Sequence, residues 1–185
     1  MMPLRIYLAG PDVFHADAAR LGATKKALCR EYGFAGLFPL DGPEESARAI
    51  YQSCVAMMRD ADFGIFNLTP FRGPSADVGT AFELGAMVAA GKQVFAYTNT
   101  TDDLIDRLHA DPGLTFDETT RVWRDPLGLM AEEFGNADNL MLDEALAAQG
   151  RHIHRRAVPQ AHRFTDSEGF VACLREASAI LVGDA

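Results

Sequence analysis

The sequence predicts an α/β protein of the doubly wound, flavodoxin-like class, with a five-stranded parallel sheet and helices on both faces. Three observations predict it. Short apolar runs of strand length alternate with stretches of helical periodicity, Gly and Pro gather where the apolar runs stop, and 185 residues that are 48% hydrophobic can bury one continuous core. Strands alternating with helices require right-handed crossovers, and these put the strands parallel and cover both faces of the sheet. The expectation is a single domain over residues 1–185.

The first strand is read at Leu4 to Ala9, an apolar run stopped by Gly10-Pro11. From Ala16 to Tyr32, the apolar positions Ala18, Leu21, Leu28 and Tyr32 recur at helical spacing, with Gly33 as a stop. A short run from Phe34 to Leu40 follows as a strand. The cycle repeats with a helix over Glu44 to Asp60, a strand over Asp62 to Leu68, a helix from Asp77 to Ala90 ended at Gly91, and a strand over Gln93 to Thr98. A short helix is expected over Thr101 to His109. Ala110 to Ala137, broken near Pro112, Pro126 and Gly135, reads as a loop or lid. Asn139 to Ala148 reads as a helix and Arg151 to Arg163 as a basic excursion that exposes His152 and His154. A last helix carries Phe170, Leu174, Ala177 and Leu181 on one stripe. In this class, ligands sit beyond the carboxyl ends of the strands. Those ends are Gly10 to Phe14, Leu40 to Gly42, Thr69 to Ser75 and Tyr97 to Thr101.

Composition narrows the function. A formal net charge of -9 repels a polyanion, so nucleic acid is not an expected partner. Cys29, Cys54 and Cys173 have no metal-ligand spacing and cannot all pair, which favours a reducing compartment. With no leader pattern and no long apolar segment, the expectation is a cytoplasmic protein without membrane contact. The five histidines form no HExxH array, so no metal is expected. Gly79 and Gly85 complete no GxGxxG motif and no P-loop is present, so no cofactor is expected either.

The densest chemical signal is the block from Thr69 to Gly85, Thr-Pro-Phe-Arg-Gly-Pro-Ser-Ala-Asp-Val-Gly-Thr-Ala-Phe-Glu-Leu-Gly. It is a glycine-punctuated loop that runs into a helix at a strand's end. Asp77 and Glu83 are six residues apart, about 240° around a continuous helix, so they converge only if Asp77 lies before the helix as its N-cap. Glu83 then stands in the second turn, where the helix N-terminus favours its ionised form, and an ionised carboxylate is a usable nucleophile. On pattern alone, Asp77 could equally just cap the helix, with Glu83 on the surface. The apolar neighbours Ala81, Phe82, Leu84 and Ala86 suit a packed carboxylate, which needs a partner. Tyr7, on the strand expected beside the one leading into the loop, can supply a hydroxyl. Its competing role is plain sheet packing. Phe14 can stack on a planar ring or fill core, and Arg72 reads as solvated or structural rather than as an anion site.

Four separated segments then agree with one family. They are Ile6-Tyr7-Leu8-Ala9-Gly10-Pro11 with Val13-Phe14, the turn Pro39-Leu40-Asp41, the Thr69 to Gly85 block, and Glu133-Phe134-Gly135 with Asn139-Leu140-Met141-Leu142. From Leu4 to Leu142, the chain resembles the nucleoside 2-deoxyribosyltransferases. The resemblance implies transfer of a 2-deoxyribosyl group between nucleobases. In that reaction Glu83 attacks C1' of the sugar, Tyr7 orients that carboxylate, and Asp77 assists proton transfer to and from the base. It implies a substrate-binding set of Gly10, Phe14, Asp41, Cys54, Gly79, Asn139 and Met141, with Phe14 and the loop at Asp41 at the base. Partners would be 2'-deoxynucleosides and free nucleobases. Asn139 would reach a neighbouring subunit's pocket in a homo-oligomer. Cys54 stands where the family usually carries Asn or Asp at the base or sugar, and the Arg151 to Arg163 stretch is longer than the family's.

Two other functions compete. A related group with this fold hydrolyses deoxynucleoside 5'-monophosphates, using a Gly- and Arg-rich first loop and a Ser in place of Asp77. The acidic Asp12 and Asp77 of this chain would repel a 5'-phosphate. A non-catalytic nucleoside- or nucleotide-sensing module is the other, and Glu83 together with Tyr7 argues against it.

Overall fold

The computed structural model describes residues 2–42, 46–110 and 113–183. Its centre is a parallel sheet of β1 (Arg5–Ala9), β2 (Ala35–Leu37), β3 (Phe63–Asn67), β4 (Gln93–Thr98) and β8 (Ile153–Arg155), in the order β2-β1-β3-β4-β8. The chain leaves β1 towards one edge of the sheet and β3 towards the other. The crevice of a doubly wound sheet therefore lies above β1 and β3, where Tyr7 is paired with Gly64.

Side-chain alternation divides the strands between two cores. Tyr7, Ala9, Phe66, Val94 and Ala96 face α2 (Ala47–Asp60), α3 (Val78–Ala89) and α5 (Leu140–Ala147), meeting Met58, Leu84, Met87, Leu142 and Leu146. Ile6, Leu8, Phe63, Ile65 and Phe95 face α1 (Ala18–Glu31) and α6 (Glu168–Leu181), meeting Cys29, Phe170, Leu174 and Ala177. Helices thus cover both faces, as the strand and helix alternation requires.

The expected helices form, with ends set by caps. Ser46 caps α2 by accepting from the Ala49 N–H at 3.2 Å, while the expected start at Glu44 lies outside the described residues. Asp77 and Asn139 stand one residue before α3 and α5 as their N-caps. The last helix buries Phe170, Leu174 and Ala177 as its stripe predicts.

Two expectations are overturned. The segment from 113 to 137 is not an irregular loop. After α4 (Leu104–His109) it folds into an antiparallel sheet of β5 (Thr115–Asp117), β6 (Val122–Arg124) and β7 (Met130–Ala131). Strands of two or three residues are too short to show an alternation, and Trp123, packed edge-on to His109 at 4.3 Å and to Phe116 at 5.2 Å, supplies the order. The expected interruption at Pro112 lies outside the described residues. The basic excursion from 151 to 163 contains the fifth strand, β8, pairing Ile153 with Ala96 and Arg155 with Thr98. Its charges are used in packing. His154 is half-buried against Glu176 at 2.8 Å, and the Arg151 guanidinium lies over the Phe95 ring at 4.2 Å, so only His152 is exposed as expected.

Candidate active site

The first strand carries Tyr7 into the interior with no exposed surface, on the face that meets α3. Its hydroxyl donates to Glu83 Oε1 at 2.6 Å. Glu83 reaches it because of helical spacing: it stands three residues after the buried Thr80 and four before the buried Met87, which puts it on the inward stripe of α3. The carboxylate is consequently not a surface group.

Asp77 completes the pair's surroundings. As the N-cap of α3, its Oδ2 accepts from the Thr80 N–H at 2.9 Å and from Thr80 Oγ1 at 3.1 Å. This pre-helical position removes the 240° mismatch and brings its charge to bear on Glu83. Gly79 keeps room for that carboxylate, since a Cβ at this position would lie 3.0 Å from Asp77 Oδ2.

The protonation of Glu83 differs from the expectation. The helix N-terminus favours the ionised form, yet burial outweighs it, and with the nearby Asp77 charge lifts the pKa from 4.5 to about 7 against the lowering effect of the Tyr7 hydrogen bond. Desolvation of a carboxylate exceeds a helix-terminus effect of at most about 2 kcal/mol once the group is taken from water. Burial first, then the Glu83 carboxylate, push the Tyr7 phenol far above its usual range, so Tyr7 is a fixed hydrogen-bond donor and not a proton source. Cys54, half-buried on α2, packs against the same core cluster and adds, after burial and Glu83, to the upward push on the Tyr7 phenol.

The loop after β1 is built on groups that periodicity does not mark. Asp12 is 2% exposed and its Oδ2 accepts from Lys25 Nζ at 2.7 Å and from Asn67 Nδ2 at 3.2 Å. Gly10 has φ 153°, and a Cβ there would come within 2.5 Å of Asn67 Cβ, so only Gly lets the loop cross β3 so closely. Beyond it, Phe14 is 54% exposed, which excludes a core role. Its ring stacks on Phe71 at 5.0 Å and 12°, and the exposed Arg72 guanidinium lies over both rings at 5.0 and 4.5 Å. Two strand ends thus present a joint aromatic surface.

The loop before α3 is clamped from the other side. The Ala76 N–H donates to the buried Asp138 at 2.8 Å, and Arg107 donates to the Pro74 and Ala137 carbonyls at 2.5 Å each. Asp138 and Arg107 were not among the candidates. A charged pair divided between α4 and the segment before α5 has no periodic signature, although Asp138, directly before a helix cap, is a position where a carboxylate finds backbone donors.

The remaining sequence candidates have partners other than Tyr7 and Glu83. Asp41 is exposed, with its carboxylate bonded by Lys26 and by the Phe38 N–H at 2.9 Å. Asn139 accepts from the Met141 N–H at 3.1 Å and donates to Glu132 Oε1 at 2.7 Å. With Met141, which is 71% exposed, it lines an apolar groove of about 620 Å³ between α3 and α5 that also includes Ala81, Leu84 and Val88. Among the described residues no cluster of His, Cys, Asp or Glu could hold a metal ion, and no helix is long and apolar enough to cross a membrane.

A doubly wound sheet with a half-buried carboxylate held by a phenol above its switch point defines a class: flavodoxin-like α/β proteins whose candidate chemistry rests on one glutamate. Within it, the chain belongs to the nucleoside 2-deoxyribosyltransferase family, whose model matches residues 6–141. It is similar to a 2-desoxiribosyltransferase from Leishmania mexicana, 27% identical, with a TM-score of 0.73 over 97% of this chain and 99% of that one. A conserved protein from Enterococcus faecalis shares the fold, 18% identical with a TM-score of 0.54 over 94% and 98% of the two chains. An uncharacterised protein of Schizosaccharomyces pombe is 39% identical over 103 residues, 50% of this chain and 49% of that protein. The chain thus matches about half the length of that curated relative.

Proposed function

We propose that this protein transfers the 2-deoxyribosyl group of a 2'-deoxynucleoside to a second nucleobase through a covalent glycosyl-Glu83 intermediate, with retention at C1'. The observation that carries this reading is the 2.6 Å hydrogen bond from the buried Tyr7 hydroxyl to Glu83 Oε1. A half-buried carboxylate with one oxygen fixed by a phenol has a defined direction for its other oxygen, which is what an in-line attack needs. Family membership supports the substrate class.

In the first displacement, Glu83 forms a bond to C1' as the bond from C1' to the base nitrogen breaks. The bonding pair leaves with the base, which takes up a proton from solvent with Asp77 assisting the transfer. Asp77 is suited to this because both of its bonds to Thr80 fall on Oδ2, which leaves Oδ1 for the base. In the second displacement, a nitrogen of the incoming base attacks C1', the bond to Glu83 breaks with its pair returning to the carboxylate, and the base's proton leaves to solvent with Asp77 assisting. Two inversions give net retention. The exposed Phe14, stacked with Phe71 beneath Arg72, borders the base, and Gly10 and Gly79 keep backbone close to the substrate. Asn139 and Met141 act in this reading on a second copy of the chain, whose approach their apolar groove favours. Asp41, held by Lys26, borders the site from the end of β2.

The test is incubation of the purified protein with a 2'-deoxynucleoside and a different free base. The exchanged nucleoside is expected. Free deoxyribose alone would replace the reading with hydrolysis, and no product would remove the enzymatic reading.

A further inference from the structure

Arg72 stands in the loop between β3 and α3 with φ 57°, in the left-handed region that few residues other than glycine adopt. The turn that holds it is closed by the Phe71 N–H, which donates to the Ser75 carbonyl at 2.9 Å. Its guanidinium lies over Phe14, from the end of β1, at 5.0 Å and over Phe71 at 4.5 Å, which fixes it beside the aromatic surface that borders the base. Contact with a ring face uses the charge of a guanidinium and leaves its N–H donors unmatched by any acceptor. Among the described residues, no carboxylate or carbonyl accepts from Arg72, whereas Arg107, Arg124 and Arg155 all direct theirs to protein oxygens. Backbone strain of this kind gathers where a ligand is held.

We propose that Arg72 is a specificity-determining residue of this site, selecting nucleobases that present a carbonyl oxygen over those that present an amino group at the same edge. The inference rests on the base-exchange reading and adds to it the class of base. Arg carries donors only, in a planar fork, so it matches two acceptors side by side, such as O6 and N7 of hypoxanthine or guanine. Adenine places an amino group where those bases have O6, and there a donor meets a donor. The loop favours a base over a phosphate at this place, because Asp77 at its end repels an anion and tolerates a neutral ring. A well-formed bidentate pair changes the preference between bases by roughly 5- to 150-fold. Arg72 is exposed, which puts the expected preference near the lower end, at about tenfold.

The experiment measures binding of hypoxanthine and of adenine, which differ at that edge, to wild type, Arg72→Lys and Arg72→Gln by equilibrium dialysis. The kcat/KM for base exchange is then compared with 2'-deoxyinosine and 2'-deoxyadenosine as donors to one common acceptor base. Wild type should favour the hypoxanthine-bearing member of each pair by about tenfold. Lys keeps the charge over the rings but not the fork, so the preference should fall to about twofold or less. Gln offers a donor and an acceptor side by side, which suits N7 and the amino group of adenine, and should reverse the preference. Wild type that binds the two bases equally or prefers adenine overturns the assignment. So does a preference that survives in both variants while their affinity for a deoxynucleoside 5'-monophosphate falls, which would make Arg72 a phosphate ligand. Binding needs no turnover: selective binding without exchange removes the functional reading and leaves the assignment standing, and exchange without selectivity does the reverse.

Discussion

Replacing Glu83 by Gln should disable the protein and at the same time stabilise it, by an amount that depends on pH in a predictable way. The folded chain holds the Glu83 proton up to about pH 7, whereas an ordinary glutamate releases it at 4.5. Between those values the folded state binds more protons than the unfolded state, so the Glu83 contribution to stability falls as pH rises and reaches its lowest level above pH 7. At about 1.4 kcal/mol per pH unit, the full cost of ionising this buried carboxylate is up to about 3 kcal/mol. Glu83→Gln keeps the shape and the oxygen that accepts from Tyr7 but carries no charge. The variant should therefore exceed wild type by up to about 3 kcal/mol at pH 8.5 and by only about 1 kcal/mol at pH 5.5. Urea unfolding at the two pH values measures the difference. A gain that does not change with pH, or a variant less stable than wild type at pH 8.5, would refute the claim that burial sets the state of Glu83.

The remaining predictions concern turnover. Because the nucleophile must be ionised, kcat/KM should rise with pH and reach half its plateau near pH 7; Tyr7→Phe, which removes a charge-assisted bond of about 1.5–3 kcal/mol, should move that limb upward by about 1–2 units. An unmoved limb in a folded Tyr7→Phe variant would show that the phenol does not tune the carboxylate. Gly79→Ala places a methyl group 3.0 Å from Asp77 Oδ2, so base exchange should slow by about tenfold or more. Its stability should stay within about 1 kcal/mol of wild type, because Ala is the better helix former. Normal exchange rates in that variant would show that Asp77 need not keep its present position.

What could be read from the sequence was whatever leaves a periodic or local mark. The apolar runs of β1, β3 and β4 and the stripe of α6 place themselves, and the six-residue spacing of Asp77 and Glu83 already forces a capping position, which the structure shows. β8 left no such mark. Ile153, His154 and Arg155 form a three-residue edge strand with two basic side chains, held by pairing to β4 rather than by their own pattern. The same holds for the small sheet of β5, β6 and β7, ordered by aromatic contacts between distant residues. Within the site, the residue types of Tyr7 and Glu83 were legible, but the protonation of Glu83 was not. It is decided by burial of the inward face of α3, a tertiary effect that outweighs the helix N-terminus visible in sequence. The supports of the two loops, Asp12 with Lys25 and Asp138 with Arg107, are buried ion pairs joining segments 13 and 31 residues apart, and no window on the sequence brings such partners together.

The central claim is that Glu83 becomes bonded to the sugar. Rapid quenching of wild-type protein with a 2'-deoxynucleoside in the absence of acceptor base, followed by mass spectrometry of its peptides, tests this directly. The peptide containing Glu83 should be heavier by one deoxyribosyl group, and the modification should disappear when a free base is added before quenching. Active protein whose Glu83 peptide stays unmodified, or whose sugar is found on another residue, would contradict the account.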